Sequence, residues 1–131
     1  KPALEVYSKV ISRQEISEGE RVSYNALFQT NKATNTATIA FGYYEGLDRR
    51  LSNHINFYYK DREFPQIGQI CMNLCSLDTG AQSLGIGEEI QVIGSLPEQN
   101  NSIENIATQL GTIPYEVLVR LNPQIRRNIV W

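Results

Sequence analysis

The sequence predicts a mostly-β domain: a small antiparallel, barrel-like fold with two short helices near its C-terminus. Apolar and polar residues alternate in short runs through the first two-thirds of the chain, which is the period of half-buried strands. Turn signals separate these runs about every ten residues, as in small barrels and sandwiches. The last third changes to the three- and four-residue spacing of amphipathic helices.

The first strands follow directly from the alternation. Three runs place apolar side chains on one face of an extended segment: Leu4, Val6 and Val10; Ala37, Ile39 and Phe41; and Ile55, Phe57 and Tyr59. A turn is expected at 18–20, a loop at 42–46 and a charged turn at 60–63. Each run is therefore long enough for one short strand and is bounded by residues that favour turns.

The later strands are predicted from shorter runs. Further strand is expected over 67–77 with a break at Gly68, and a turn at 85–88 leads to a short strand over 89–93. Residues 126–130 are predicted to form a closing strand. The total is about five to eight short strands.

Two helices are predicted after the last loop. Ser102 is a suitable N-cap, and Gly111 is well placed to end the first helix. Between them the apolar residues follow helical spacing: Ile103, Ile106, Ala107 and Leu110. Pro114 favours the first turn of a second short helix over 115–121, and Pro123 prevents its continuation.

Length and composition exclude several classes of function. One domain is expected over residues 1–131, within the common range of about 100–150 residues. Lys and Arg total 12 against 14 Asp and Glu, for a net charge of −2, so the basic surface of a nucleic-acid-binding domain is missing. No run approaches the roughly 20 apolar residues of a membrane span. Cys71, Cys75 and the single histidine, His54, cannot complete a zinc site, and they favour a reducing, cytoplasmic compartment.

Tyrosine is the residue type that stands out. There are seven, and Tyr24, Tyr43 and Tyr115 adjoin turn or loop signals. A phenol normally titrates near 10, so it is a poor base at neutral pH unless a nearby cation lowers its pKa. Taken alone, these tyrosines are interpreted as structural. The charged segment 48–50 is interpreted either as a solvated loop or as a rim that guides anions.

Four motifs occur in order along the chain: Val-Ser-Tyr-Asn-Ala at 22–26, Phe-Gly-Tyr-Tyr-Glu-Gly at 41–46, Gly-Gln-Ile-Cys-Met-Asn at 68–73 and Thr-Ile-Pro-Tyr-Glu at 112–116. Their order, and the spacing of the tyrosines in the first two, resemble the C-terminal domain of alanine racemases. The Lys-Pro-Ala-Leu start and the Arg-Arg pair near the end resemble the two ends of that domain. The resemblance therefore covers nearly the whole chain.

The resemblance implies an enzyme that uses pyridoxal 5'-phosphate to interconvert L- and D-alanine for peptidoglycan precursors. In that family an N-terminal (β/α)8 barrel, absent from this chain, holds the cofactor on a lysine. Two identical subunits pair head to tail, so that each active site combines one subunit's barrel with the other's β-domain. Tyr115 matches the tyrosine that donates to the cofactor phosphate, and Ile113 lines the same corridor. The chain begins without a methionine, and we expect it to be an inactive piece of a longer protein.

The resemblance also implies which residues act on the substrate. Racemisation needs an acid/base group on each face of the α-carbon; the barrel lysine serves one face, and Tyr24 matches the tyrosine that serves the other. Tyr43 matches a tyrosine that narrows the substrate entrance, and Arg49 matches an arginine at that entrance. Met72 matches the residue whose backbone N–H meets the substrate carboxylate, which suits an anion.

The chain departs from the family pattern near these motifs, at Asn25, Tyr44, Glu45, Gln69 and Asn73. Gln69 replaces an entrance arginine and Asn73 replaces an aspartate, so the two changes alter the charge of the pocket mouth in opposite senses. Three alternatives stay open: a serine-preferring racemase, a non-catalytic dimerisation or association module of a degenerate homologue, and an unrelated ligand-binding barrel.

Overall fold

The computed structural model describes residues 4–19, 21–22, 28–29 and 32–129, and these form a mostly-β domain with two short helices near the C-terminus. The strands are β1 (Val6–Ile16), β2 (Arg21–Val22), β3 (Phe28–Gln29), β4 (Thr34–Ile39), β5 (Asn56–Tyr59), β6 (Arg62–Ile67), β7 (Cys75–Gly80) and β8 (Glu89–Ile93). The helices are α1 (Ile103–Leu110) and α2 (Pro114–Val119), and a 3-10 turn spans Arg49–Leu51. The predicted fold class is confirmed.

Six strands close into an antiparallel barrel in the order β1-β4-β7-β6-β5-β8, and β2 and β3 form a separate pair. The long strand β1 closes it, because residues 6–9 pair with β8 and residues 10–16 pair with β4. The register shifts between Val10 and Ser12, an irregularity of the kind that bends a strand at a barrel corner. Closure leaves no unpaired edge among these six strands.

The barrel interior is filled by the apolar residues that the alternation identified. Val10, Ile39 and Phe57 are among its fully buried side chains. Ile103 and Ile106 of α1 belong to the same core cluster, as do Val117 of α2 and Leu121 just beyond it. The two helices are therefore packed against the barrel by apolar burial, the dominant favourable term in folding.

Helix α1 is confirmed at both ends. The Ser102 hydroxyl accepts a hydrogen bond from the Asn105 N–H at 3.2 Å, and Gly111 ends the helix in the left-handed conformation. Helix α2 begins at Pro114 but ends at Val119, before the predicted end at residue 121. The segment after it turns back towards residues 44–45, where Asn122 makes hydrogen bonds.

Two strand predictions need correction. The stretch 69–74 is a loop, because Gly68 turns the chain at a φ of 75° and the Cys71 N–H donates to the Leu74 carbonyl at 3.0 Å, which closes a turn. The expected closing strand is also wrong over 126–129, the part of it that is described. The barrel is already closed by the pairing of β1 with β8, so no neighbouring strand is left to receive it.

Candidate active-site face

Two loops that carry predicted site residues lie directly against each other. The N–H groups of Tyr43 and Tyr44 donate to the carbonyls of Cys71 and Met72 at 3.0 and 2.8 Å. Gly42 makes this approach possible, because a Cβ at that position would lie 2.2 Å from the Cys71 carbonyl oxygen and only glycine avoids that clash. The structure therefore brings Tyr43 and Met72 together, although they are far apart in the sequence.

The Glu45 side chain adds a polar contact between the same loops. Its Oε1 accepts from the Gly42 N–H at 2.8 Å, and its Oε2 accepts from Asn73 Nδ2 at 3.1 Å. Glu45 and Asn73 are both positions at which the chain departs from the family pattern. Asn73 therefore does more than remove a negative charge, because its side-chain amide donates a hydrogen bond to Glu45.

Arg49 joins this cluster from the 3-10 turn. Its guanidinium carbon lies 5.8 Å from the centre of the Tyr43 ring, within the range of a cation–π contact. The neighbouring Arg50 turns back to Asp48, with N–O distances of 3.0 and 2.8 Å. The side-chain hydrogen bonds from Arg50 are the largest cause that lowers the pKa of the Asp48 carboxyl. This geometry places Arg49 beside Tyr43.

Residues 45–48 also contact the C-terminal end of α2 and the residues just after it. A guanidinium nitrogen of Arg120 lies 3.6 Å from Asp48 Oδ2, and the Asn122 N–H donates to the Glu45 carbonyl at 3.0 Å. At Gly46 a Cβ would lie 2.9 Å from the backbone of residues 120 and 121. The C-terminal end of α2 is consequently packed onto the loop that carries Tyr43.

Met72 offers a backbone donor on this face. The residue is 50% exposed and lies in the turn closed by the Cys71–Leu74 hydrogen bond. Among the residues that the structure describes, none accepts a hydrogen bond from the Met72 N–H. A backbone N–H in such a turn is a suitable donor to a carboxylate.

Ile113 and Tyr115 lie at the other end of α2 and are 61% and 70% exposed. The helical rise from Tyr115 to Arg120 is about 7.5 Å. Helix α2 therefore links Ile113 and Tyr115 at its start to the Tyr43 loop, which packs against its end. A phenol donor next to an apolar side chain fits one side of a phosphate group. Lys60 lies over the Tyr59 ring, and Lys9 lies opposite Glu89 in the register of β1 and β8.

The remaining predictions have mixed outcomes. Tyr24 lies outside the described residues. His54 is exposed, and both cysteines are free. No cluster of metal-ligating side chains occurs within the described ranges, and no helix among them is long and apolar enough to cross a membrane.

Sequence reasoning missed the roles of Glu45 and Arg120. Glu45 was recognised only as a departure from a motif, and Arg120 only as part of a short helix. Both act through partners that are distant in the sequence, Asn73 and Asp48. The available signals were the opposite charges of Arg120 and Asp48 and the donor and acceptor groups of Asn73 and Glu45, which a single sequence does not assign to particular partners.

Comparison with known proteins identifies the family. The family model described as "Alanine racemase, C-terminal domain" matches residues 3–129. The alanine racemase of Aquifex aeolicus is 35% identical over 130 residues, which cover 99% of this chain and 37% of that protein. Alanine racemase 1 of Caldanaerobacter subterraneus is 34% identical, over 92% of this chain and 31% of its own length.

Solved structures give the same result for the fold. The alanine racemase of Oenococcus oeni superposes with a TM-score of 0.89 at 25% identity, over 99% of this chain and 36% of that one. The Bartonella henselae alanine racemase, a structure with covalently bound pyridoxal phosphate, gives 0.87 at 30% identity, over 96% and 34%. This β-barrel is thus the domain type found at the C-terminus of a racemase. The chain belongs to the alanine racemase C-terminal domain family, and it spans about a third of the length of the relatives it matches.

Proposed function

We propose that this chain is the C-terminal domain of a pyridoxal-phosphate-dependent alanine racemase and contributes part of a composite active site. The Met72 N–H, which no described residue accepts from and which lies in a turn bound to the loop that carries Tyr43, is the observation that carries the proposal. The parent enzyme would be a cytoplasmic homodimer in which this domain faces the cofactor-binding barrel of the second subunit. Its reaction would supply D-alanine for peptidoglycan precursors.

The proposed catalytic residue of this chain is Tyr24. Its phenol would exchange a proton with one face of the substrate's α-carbon, while a lysine of the barrel acts on the opposite face. Because a free phenol titrates near 10, a cation must lower the pKa of Tyr24, and in this proposal the partner's barrel supplies that cation. Pyridoxal phosphate, when bound, supplies an electron sink for the carbanion.

The other site residues are proposed to bind and orient. The Met72 N–H donates to the substrate carboxylate, and Arg49 adds positive charge at the entrance. Tyr43, ordered by its contact with Arg49, narrows the passage to a small substrate. Tyr115 would donate to the cofactor phosphate through its hydroxyl group, and Ile113 would line the same corridor.

The test uses the full-length parent with the substitution Tyr24→Phe. We expect racemisation to fall by at least about 100-fold, the usual contribution of one general acid/base, while the absorbance of bound cofactor is unchanged. Tyr7→Phe is the matched control, since Tyr7 is an exposed tyrosine on β1 whose hydroxyl bonds to Glu5. Near-normal racemisation by Tyr24→Phe in both directions would show that the assigned role is wrong.

A second candidate is a non-catalytic association module, and the substitutions at Gln69 and Asn73 favour it. A parent that lacks the barrel lysine would support this candidate, whereas a parent that has it supports the enzyme. The same substitutions motivate a serine-preferring racemase. Racemisation assays of the parent with L-alanine and L-serine distinguish all three, because the module converts neither substrate.

A further inference from the structure

The turn at 71–73 is held by the loop 42–45 through both backbone and side chains. The carbonyls of Cys71 and Met72 accept hydrogen bonds from successive N–H groups of that loop, at Tyr43 and Tyr44. The next residue, Asn73, is joined to Glu45 through its side chain. Three consecutive residues of the turn are therefore attached to one neighbouring loop.

This attachment determines where the Met72 N–H points. The chain has no cis peptide bond among the residues described, and in a trans peptide the carbonyl of one residue and the N–H of the next point in opposite directions. Because the Cys71 carbonyl points at Tyr43, the Met72 N–H must point away from the 42–45 loop. The donor therefore lies on the opposite side of the turn from that loop, in a residue that is half exposed, and no described residue accepts a hydrogen bond from it.

Glu45 is the side chain that spans the two loops. One carboxylate oxygen accepts from Gly42, within its own loop, and the other accepts from Asn73, in the turn. The Glu45 carbonyl accepts from Asn122 in a third segment. A carboxylate with both oxygens engaged and its backbone held cannot change position without releasing these contacts.

We propose that Glu45 and Asn73 are positioning residues whose hydrogen bond keeps the Met72 N–H aimed at the substrate carboxylate, an inference that rests on the proposed function. Neither side chain needs to touch the substrate. A donor that contacts the same carboxylate before and during proton transfer stabilises both states equally. Loosening it should therefore raise KM and leave kcat nearly unchanged.

The experiment uses the full-length parent. It first removes this hydrogen bond and then restores it with donor and acceptor exchanged. Asn73→Asp places a second carboxylate against Glu45, and like charges at this distance repel. We expect KM for alanine to rise by roughly three- to tenfold, the equivalent of about one hydrogen bond. The double variant Glu45→Gln with Asn73→Asp restores the contact, because the new amide NH2 donates to Asp while its oxygen still accepts from Gly42. We expect its KM to return to within about twofold of the parent value.

The control is Gln82→Glu, which adds the same charge beside Arg62, away from the two loops. Hydrogen exchange of the peptides that cover 42–45 and 71–73 gives a second readout, expected to rise in Asn73→Asp and to return in the double variant. An active parent in which Asn73→Asp leaves KM unchanged, or in which the double variant is not rescued, would overturn the inference and leave the proposed function intact. A parent that does not racemise alanine would overturn the proposed function and with it the substrate role of Glu45 and Asn73. Hydrogen exchange would still report whether the contact between these two side chains holds the loops together.

Discussion

Single residues determine how closely the two loops of the candidate site approach. Gly42 is the sharpest case, because an added Cβ would meet the carbonyl oxygens of Cys71 and Met72 at 2.2 and 2.6 Å. Both atoms belong to the backbone and cannot rotate away. Relief requires the 71–72 segment to move by about 1 Å, given an ordinary carbon–oxygen contact of roughly 3.4 Å, and such a shift would break the hydrogen bonds to Tyr43 and Tyr44.

Gly42→Ala should therefore destabilise the chain by roughly 1–3 kcal/mol, the usual cost of overpacking. Urea unfolding of the variant and the unchanged chain measures the difference. Gly85→Ala is the matched control, because its Cβ would meet only Glu88 Cγ at an ordinary 3.8 Å, and we expect a change within about 0.5 kcal/mol. Equal stability of the Gly42 variant and the unchanged chain would contradict the conclusion that only glycine lets residue 42 lie this close to the Cys71 and Met72 carbonyls.

At the scale of elements, α2 is held to the 42–50 segment by charge as well as by packing. Asp48 receives hydrogen bonds from Arg50 and an ion pair from Arg120. The pKa of its carboxyl is lowered in the folded chain, first by the side-chain hydrogen bonds from Arg50. A lowered folded-state pKa stabilises the fold above the unfolded value of about 3.9, and this contribution is lost as the pH falls through the folded pKa.

Asp48→Asn should consequently reduce stability more at pH 7 than at pH 3. The expected loss at pH 7 is below about 1 kcal/mol, because the arginine partners are exposed to solvent. Urea midpoints at the two pH values measure it. The control is Asp61→Asn in the β5–β6 turn, an exposed aspartate for which the described contacts include no ion pair. A loss that is the same at both pH values would argue against the ionised carboxylate as its cause.

Elements were predictable where one local signal decided them. Ser102 and Gly111 bound α1 because a cap and a left-handed end are local events, and β8 follows from alternation alone. The loop at 69–74 is wrongly predicted as strand, because its apolar residues suggest strand pairing, whereas the Cys71 N–H instead bonds to the Leu74 carbonyl within the loop. In the site, motif order indicated Tyr43 and Met72, whereas the Glu45–Asn73 contact joins residues 28 positions apart and required the fold.

At the scale of the whole molecule, the barrel is closed, whereas large side chains of the candidate site stay exposed. The pairing of β1 with both β4 and β8 closes the strands, and the core continues into both helices. Met72, Ile113 and Tyr115 are nevertheless half or more exposed, and exposed apolar side chains of this size are typical of surfaces that meet another domain when they form one patch.

Under the proposed function the isolated chain should not racemise alanine, even with pyridoxal phosphate added, because it would contribute Tyr24 and the binding residues while a barrel domain contributes the lysine. Mixing it with the separately expressed barrel domain of the parent should restore measurable activity, since the proposed site is shared between the two. Chiral chromatography of alanine after incubation measures both results, and the Tyr24→Phe chain in the same mixture is the control that should stay inactive. Racemisation by the chain alone would contradict a shared site, and so would equal recovery with the Tyr24→Phe chain.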